Sequence, residues 1–214
     1  MRILFFGDSI TDAGRNRNAD FALDSYGNGY VKFISGELLG QDPNGYEILN
    51  RGISGNRIVD LYARVKADLW NLQPDLLSIL IGVNDVWHEL GNKNGVELDR
   101  FERVYRMLIE DTQKRFPDLK IVLCEPFVLK GAATEEKYDG FLEVKEYAKV
   151  VAKLAKEYGT YFLPLQEKLD EAAEKFGADK VLADGVHPAM CGAKLIADEW
   201  LRLFNEKNKG LYIN

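Results

Sequence analysis

A chain of 214 residues with 46% hydrophobic and 29% charged side chains is long enough to bury a full core and has the balance of an ordinary soluble globular protein. Its net charge of -6 argues against a nucleic acid or an anionic membrane as partner, because phosphate binding depends on clustered Lys and Arg, and it favours a neutral substrate. No apolar run is long enough to span a bilayer.

The first apolar run, Ile3-Leu4-Phe5-Phe6, leads into Gly7-Asp8-Ser9-Ile10-Thr11. A buried strand that stops at a glycine and then presents a small hydroxyl places that hydroxyl at the rim of a sheet, so Ser9 is a candidate nucleophile. The same tripeptide also reads as a strand-to-helix turn, with Asp8 or Ser9 capping the amides that follow, and taken alone it favours that reading. A strand beginning at Arg2 is not preceded by the basic stretch, apolar core and small-residue cleavage site of a secretory signal, so a cytoplasmic location is expected.

Four more apolar runs follow: Glu47-Ile48-Leu49, Leu76-Leu77-Ser78-Ile79-Leu80-Ile81, Lys120-Ile121-Val122-Leu123-Cys124 and Tyr161-Phe162-Leu163. Helical periodicity lies between them, over residues 28–40, 57–73, 99–116 and 138–158, and again over 190–206. In that last segment Ala193, Ile196, Ala197, Trp200, Leu201 and Phe204 fall on one stripe, so Trp200, like Trp70, reads as a packing residue.

Short, continuous apolar strands alternating with helices are the mark of a parallel sheet covered on both faces. The expected architecture is a three-layer α/β/α domain with a five-stranded parallel sheet of flavodoxin-like order, formed by residues 1–214 as a single domain. In such sheets ligands bind beyond the carboxyl ends of the strands, so every post-strand loop is a candidate for the site. Three of these are long and polar, residues 12–28, 85–98 and 127–137, and are expected to wall a cleft or make subunit contacts. Cys124 and Cys191 match no metal or redox spacing and are expected to be free thiols.

Only two histidines are available as a base near neutral pH, His88 and His187. In Asp184-Gly185-Val186-His187-Pro188 an aspartate three residues ahead of the histidine can reach one ring nitrogen while the other takes a proton. An isolated Asp-x-x-His more often just orders a loop, and Asp85-Val86-Trp87-His88 repeats the spacing, so spacing does not choose between the two. Acyl transfer also needs donors for an oxyanion. Gly55, in Asn50-Arg51-Gly52-Ile53-Ser54-Gly55-Asn56, can present a bare backbone amide, and Asn84, in Gly82-Val83-Asn84-Asp85, an uncharged side-chain donor. Each loop alone reads as a turn. Together, a serine after strand one, a glycine after strand two, an asparagine after strand three and an Asp-x-x-His after strand five converge on one sheet edge.

These blocks resemble those of the SGNH, or GDSL-type, hydrolases. The longer stretches Phe6-Gly7-Asp8-Ser9-Ile10-Thr11-Asp12, Gly52-Ile53-Ser54-Gly55-Asn56 and Ile81-Gly82-Val83-Asn84-Asp85-Val86-Trp87 look like the intracellular acetyl xylan esterases of that family. The resemblance implies Ser9 as nucleophile, His187 as base and Asp184 as its orienting carboxylate. It implies an oxyanion hole from the backbone amides of Ser9 and Gly55 with the Asn84 side chain, and no metal or organic cofactor. His88 falls outside the family blocks.

The expected function is a serine esterase that removes acetyl groups from acetylated carbohydrate of the xylo-oligosaccharide type through an acyl-enzyme. A lipid, aryl-ester or thioester hydrolase with the same residues, or a non-catalytic flavodoxin-like binding module, stands as the alternative. Trp87 is the main candidate for packing on a sugar ring, with Tyr26, Tyr30 and Phe127 as further candidates, and core packing is the competing role for each. The apolar tail Leu211-Tyr212-Ile213 is suited to docking on its own domain or on a neighbour, so a homo-oligomer is among the expected partners, with no nucleic acid and no membrane.

Overall fold

The computed structural model describes residues 1–207; the tail Leu211-Tyr212-Ile213 lies outside the described residues. Strands β1 (Arg2–Gly7), β2 (Glu47–Gly52), β3 (Leu76–Leu80), β4 (Lys120–Cys124) and β5 (Tyr161–Leu163) form one all-parallel sheet in the order β2-β1-β3-β4-β5. The helices are α1 (Ser9–Asp12), α2 (Tyr30–Gln41), α3 (Ile58–Asp68), α4 (Val83–Asn92), α5 (Leu98–Arg115), α6 (Tyr138–Phe141), α7 (Val144–Glu157), α8 (Gln166–Phe176), α9 (Ala178–Val181) and α10 (Met190–Lys207). No helix among the described residues is long and apolar enough to cross a membrane.

Adjacent residues of β1 show how the three layers form. Phe5 packs edge-on to Tyr30 of α2 and at 5.2 Å from the Trp200 ring of α10, whereas Phe6 lies under the Arg64 guanidinium of α3 at 4.3 Å. Successive strand side chains point to opposite faces, so α2 and α10 cover one face and α3 the other. Both faces being covered, β1, β3 and β4 read as continuous apolar runs rather than alternating ones. Trp200 is fully buried and its indole N–H donates to Ser78 Oγ of β3 at 3.1 Å, which satisfies the one polar atom it carries inside. Trp70 donates to Thr112 Oγ1 and lies under Arg115, so both tryptophans are packing residues.

The structure departs from the sequence expectation at several helices. Residues 85–98 are not a long loop: α4 occupies Val83–Asn92, which places His88 on a helix. The segment expected as a helix over 57–73 ends at Asp68 and continues as a 3₁₀ turn, and 138–158 divides into α6 and α7. Helices α8 and α9 were not expected: the apolar stripe of α8 is short, Leu169, Ala172, Ala173 and Phe176, with only Leu169 and Ala172 buried, and α9 is a single turn. Both cysteines are free, and burial pushes the Cys124 thiol up to about 12.

At the end of β1 the chain turns through Asp8 into α1. The fully buried Asp8 carboxyl accepts the Ile10 N–H at 2.9 Å as the N-cap, while its other oxygen has no partner among the described residues. Burial pushes this carboxyl up to about 7 from an ordinary 3.8, against smaller pulls from the Ile10 N–H and the charge of His187. A raised carboxyl pKa means the folded chain holds the proton more tightly than the unfolded one. This group therefore costs stability as pH rises from 3.8 to about 7 and is neutral to stability below that window. Asp8→Asn keeps an oxygen for the Ile10 amide and removes the titration. Its unfolding free energy relative to the parent should improve by ~1.4 kcal/mol per pH unit across the window, as read by urea unfolding. A difference that stays constant with pH would sink this assignment.

Candidate active site

Three side chains from the two ends of the chain meet at the carboxyl edge of the sheet. Ser9 Oγ lies 2.9 Å from His187 Nε2, and His187 Nδ1 lies 2.7 Å from Asp184 Oδ2. The other oxygen of Asp184 accepts the backbone N–H groups of Val186 and His187 at 2.9 and 2.8 Å. Burial alone would push the Asp184 carboxyl up, but these hydrogen bonds outweigh it and hold the group below its ordinary value. The carboxylate thus stays ionised at neutral pH, and a negative charge on that side keeps the Nδ1 proton in place and leaves Nε2 free to accept.

The turn carrying Asp184 and His187 is closed by backbone. Ala183 N–H donates to His187 O at 2.8 Å and Ala189 N–H to Val181 O at 3.0 Å, with Leu182 and Pro188 forming an isolated bridge. Gly185 sits at φ +98°, and a Cβ there would come within 2.6 Å of Leu129 O, so only glycine fits. Residues 127–137 clasp this turn through Leu129 N–H to Gly185 O and Ala133 N–H to Asp184 O, at 2.8 and 2.9 Å. That segment, expected to wall a cleft or make subunit contacts, braces the aspartate and histidine.

The candidate donors lie on the loops after β2 and β3. Gly55 stands at φ +82° with open space where a side chain would project, which leaves its amide bare. Asn84 is buried in the first turn of α4, and one Nδ2 hydrogen goes to Asn56 O at 3.1 Å, which leaves the second free. Three residues that the sequence did not single out hold these loops. Asp12 accepts Ser54 N–H and Oγ–H at 3.0 and 3.1 Å and pairs with Arg17. Arg64 donates to Gly7 O at 3.1 Å and to Asn56 Oδ1 at 2.7 Å, joining the end of β1 to the Asn56 loop. Asn50 donates to Thr11 O and Tyr26 O and accepts Gly52 N–H, which fixes the strand end beneath them. Polar groups that point inward beside a turn leave no periodic trace, so pattern reading passes over them.

These groups open on a cleft of about 400 Å³ lined by Ser9, Ser54, Gly55, His187 and one face of α4 that includes Asn84, Trp87 and His88. Neither 12–28 nor 127–137 contributes to the lining. Trp87 is half-buried, packs on Phe141, and reaches the His187 ring at 5.9 Å, so it is both a packing residue and a wall of the cleft. The other proposed substrate contacts fail: Tyr30 and Phe127 are fully buried, Tyr30 bonding Thr11 Oγ1, and Tyr26 is buried away from the cleft. The competing Asp85–His88 pair does not form. The buried Asp85 carboxylate accepts Ile58 N–H at 3.0 Å, and the His88 ring has no hydrogen bond to it. Among the described residues no cluster of His, Cys, Asp or Glu is disposed to hold a metal ion.

The model of the GDSL-like Lipase/Acylhydrolase family matches residues 5–195. An acetylxylan esterase of Geobacillus stearothermophilus is 34% identical over 208 residues, covering 94% of this chain and 92% of that protein. A structure from Parabacteroides merdae assigned to the GDSL-like lipases superposes with a TM-score of 0.88 at 42% identity and 94% coverage of both chains. The Geobacillus esterase Axe2 superposes with a TM-score of 0.83 at 33% identity, covering 94% of this chain and 92% of its own. A non-catalytic flavodoxin-like binding module is thereby set aside. The chain belongs to the GDSL-like lipase and acylhydrolase family, the SGNH hydrolases, and is a carboxylic ester hydrolase.

Proposed function

We propose that this esterase removes acetyl groups from acetylated carbohydrate of the xylo-oligosaccharide type through an acyl-enzyme on Ser9. The observation that carries the reading is the chain Asp184–His187–Ser9, with contacts of 2.7 and 2.9 Å, ending beside Gly55 and Asn84 in an open cleft. The relatives support the substrate class, since the Geobacillus protein is an acetylxylan esterase. They also support the roles: catalytic variants of Axe2 replace a serine, an aspartate and, three residues later, a histidine, the spacing of Asp184 and His187 here.

In the first step His187 Nε2 takes the Ser9 Oγ proton as Oγ bonds to the acetyl carbon. Negative charge develops on the carbonyl oxygen, facing the N–H groups of Ser9 and Gly55 and the free Nδ2 hydrogen of Asn84. Donors already aimed there need no rearrangement when the charge appears, which is why such sites lower barriers more than water does. The tetrahedral intermediate collapses, and His187 passes its proton to the departing sugar oxygen. Water, activated by the same nitrogen, then attacks the acetyl-serine and acetate leaves. Asp184 keeps the imidazole in the tautomer that both steps need and balances the charge it acquires.

Acetate release from acetylated xylo-oligosaccharides should fall on the order of 10⁴-fold or more in Ser9→Ala and in His187→Ala, with far-ultraviolet circular dichroism unchanged. Residual turnover within about tenfold of the parent in either variant would remove that residue from its role. Asp184→Asn should cost ~10²-fold or more, because an amide hydrogen would then face Nδ1 and hold the wrong tautomer. Acyl size is read separately with 4-nitrophenyl esters of rising chain length. Acetate should be the preferred acyl group, and a rate that climbs towards long chains would replace the sugar-acetate reading by a lipid-ester one.

A further inference from the structure

The face of α4 that lines the cleft runs well beyond Asn84, and the mechanism uses none of that outer part. Trp87, His88, Gly91 and Asn92 all line the cleft, at the i+3, i+4, i+7 and i+8 positions from Asn84 that share one face of a helix. At about 1.5 Å per residue, His88 stands ~6 Å and Asn92 ~12 Å farther along the axis than Asn84. A Cβ on Gly91 would meet nothing within 4 Å, so the floor between these side chains is open.

The polar atoms on this face are uncommitted. The His88 ring and the Asn92 amide have no hydrogen bond among the described residues. The charged neighbours of His88 are Arg57 and Asp60, which bond to each other, with Arg57 also held by the Asn94 carbonyl. Burial first, and then the Arg57 guanidinium, lower the His88 pKa against a smaller opposite pull from Asp60, which favours a neutral ring at pH 7. A neutral imidazole offers one N–H donor and one bare nitrogen acceptor, and a carboxamide offers both kinds as well.

Direction follows from the chemistry. The departing alcohol oxygen must take its proton from His187, and Trp87 lies directly beside that ring at 5.9 Å. The alcohol half of the ester therefore extends past Trp87 along α4. A lipid or aryl alcohol laid there would leave the His88 and Asn92 groups without partners, an unfavourable match, whereas hydroxyl groups both donate and accept.

We propose that His88 and Asn92 form a hydroxyl-binding subsite for the alcohol half of the substrate, which makes that alcohol a neutral polyol seated against Trp87. The subsite rests on the Ser9 acyl-enzyme reading above and specifies its leaving group.

The test compares kcat/KM for acetylated xylotriose with kcat/KM for 4-nitrophenyl acetate in the parent, His88→Phe and Asn92→Ala, each normalised to titrated active sites. The sugar-to-aryl ratio should fall about tenfold in His88→Phe and severalfold in Asn92→Ala, the scale of one lost hydrogen bond. Unacetylated xylotriose, used as an inhibitor of aryl acetate hydrolysis, should weaken by similar factors. Asn92 is exposed at the helix end, so its variant carries the comparison if His88→Phe fails to fold. Unchanged ratios and unchanged inhibition, in a parent that does deacetylate the sugar, would overturn the subsite and leave the acetyl-sugar reading intact. A parent active on the aryl ester but inert on the sugar would overturn that reading and the subsite with it.

Discussion

At the carboxyl end of β1 three backbones meet with almost nothing between them. Gly7 is in register with Gly52 of β2 and Leu80 of β3, and α1 lies across the first two strand ends. A Cβ on Gly7 would come within 2.4 Å of Thr11 Oγ1 and 2.5 Å of Leu80 O, and one on Gly52 within 2.2 Å of the Asp12 nitrogen. Those distances lie far inside van der Waals contact, so the first turn of α1 approaches the sheet as closely as it does only because both residues lack side chains. Ser9 therefore sits low over the strand ends, level with the loops after β2 and β3 and within hydrogen-bond reach of the turn near residue 187. The rest of the site depends on this contact, since a serine raised by one side-chain diameter would clear the imidazole.

A second regularity is the use of carboxylates as fasteners. Asp8 holds the Ile10 amide, Asp12 the Ser54 amide, Asp85 the Ile58 amide, Asp184 two amides of its own turn, and Glu125 the amides of Leu165 and Gln166. All five lie near the carboxyl edge, where strands give way to loops and backbone N–H groups lose their ladder partners. At Asp12 and Asp184, where hydrogen bonds outweigh burial and hold the carboxyl below its ordinary value, the acceptor is charged and satisfies the amide more strongly than a neutral group would, whereas burial pushes Asp8 and Asp85 the other way. Some of the chain's aspartates and glutamates thus serve as internal fasteners rather than as surface charge.

Much of this was legible in the residues. Continuous apolar runs separated by helical periodicity led to the right sheet, because strands covered on both faces leave that signature. Ser9, Gly55, Asn84, Asp184 and His187 were singled out because they fall at loops that a parallel sheet brings to one edge, with the family resemblance choosing between the two histidines, and the structure brings these residues together. What escaped was of two physical kinds. Helix α8 has a stripe of four apolar residues, two of them alanines, which is a weak signal, and Asp12, Asn50 and Arg64 act through a few polar contacts between segments distant in sequence. Aromatic residues misled in the opposite sense: Tyr30 and Phe127 lie beside the right loops yet point into the core, and only side-chain direction separates a wall of the cleft from its foundation.

The turn sealed by the Leu182–Pro188 bridge has an entropic consequence. The aspartate and histidine it carries are three residues apart on one turn, which its own backbone and the 127–137 segment hold, so pairing the two closes almost no loop. The serine is 178 residues away from the histidine and meets it through one contact. The longest-range step in bringing Ser9, His187 and Asp184 together is therefore that single junction, which the sheet supports. A loosening of the fold that leaves the aspartate and histidine paired still separates them from their partner, so the alignment of the junction registers tertiary packing before either half of it loses its local structure.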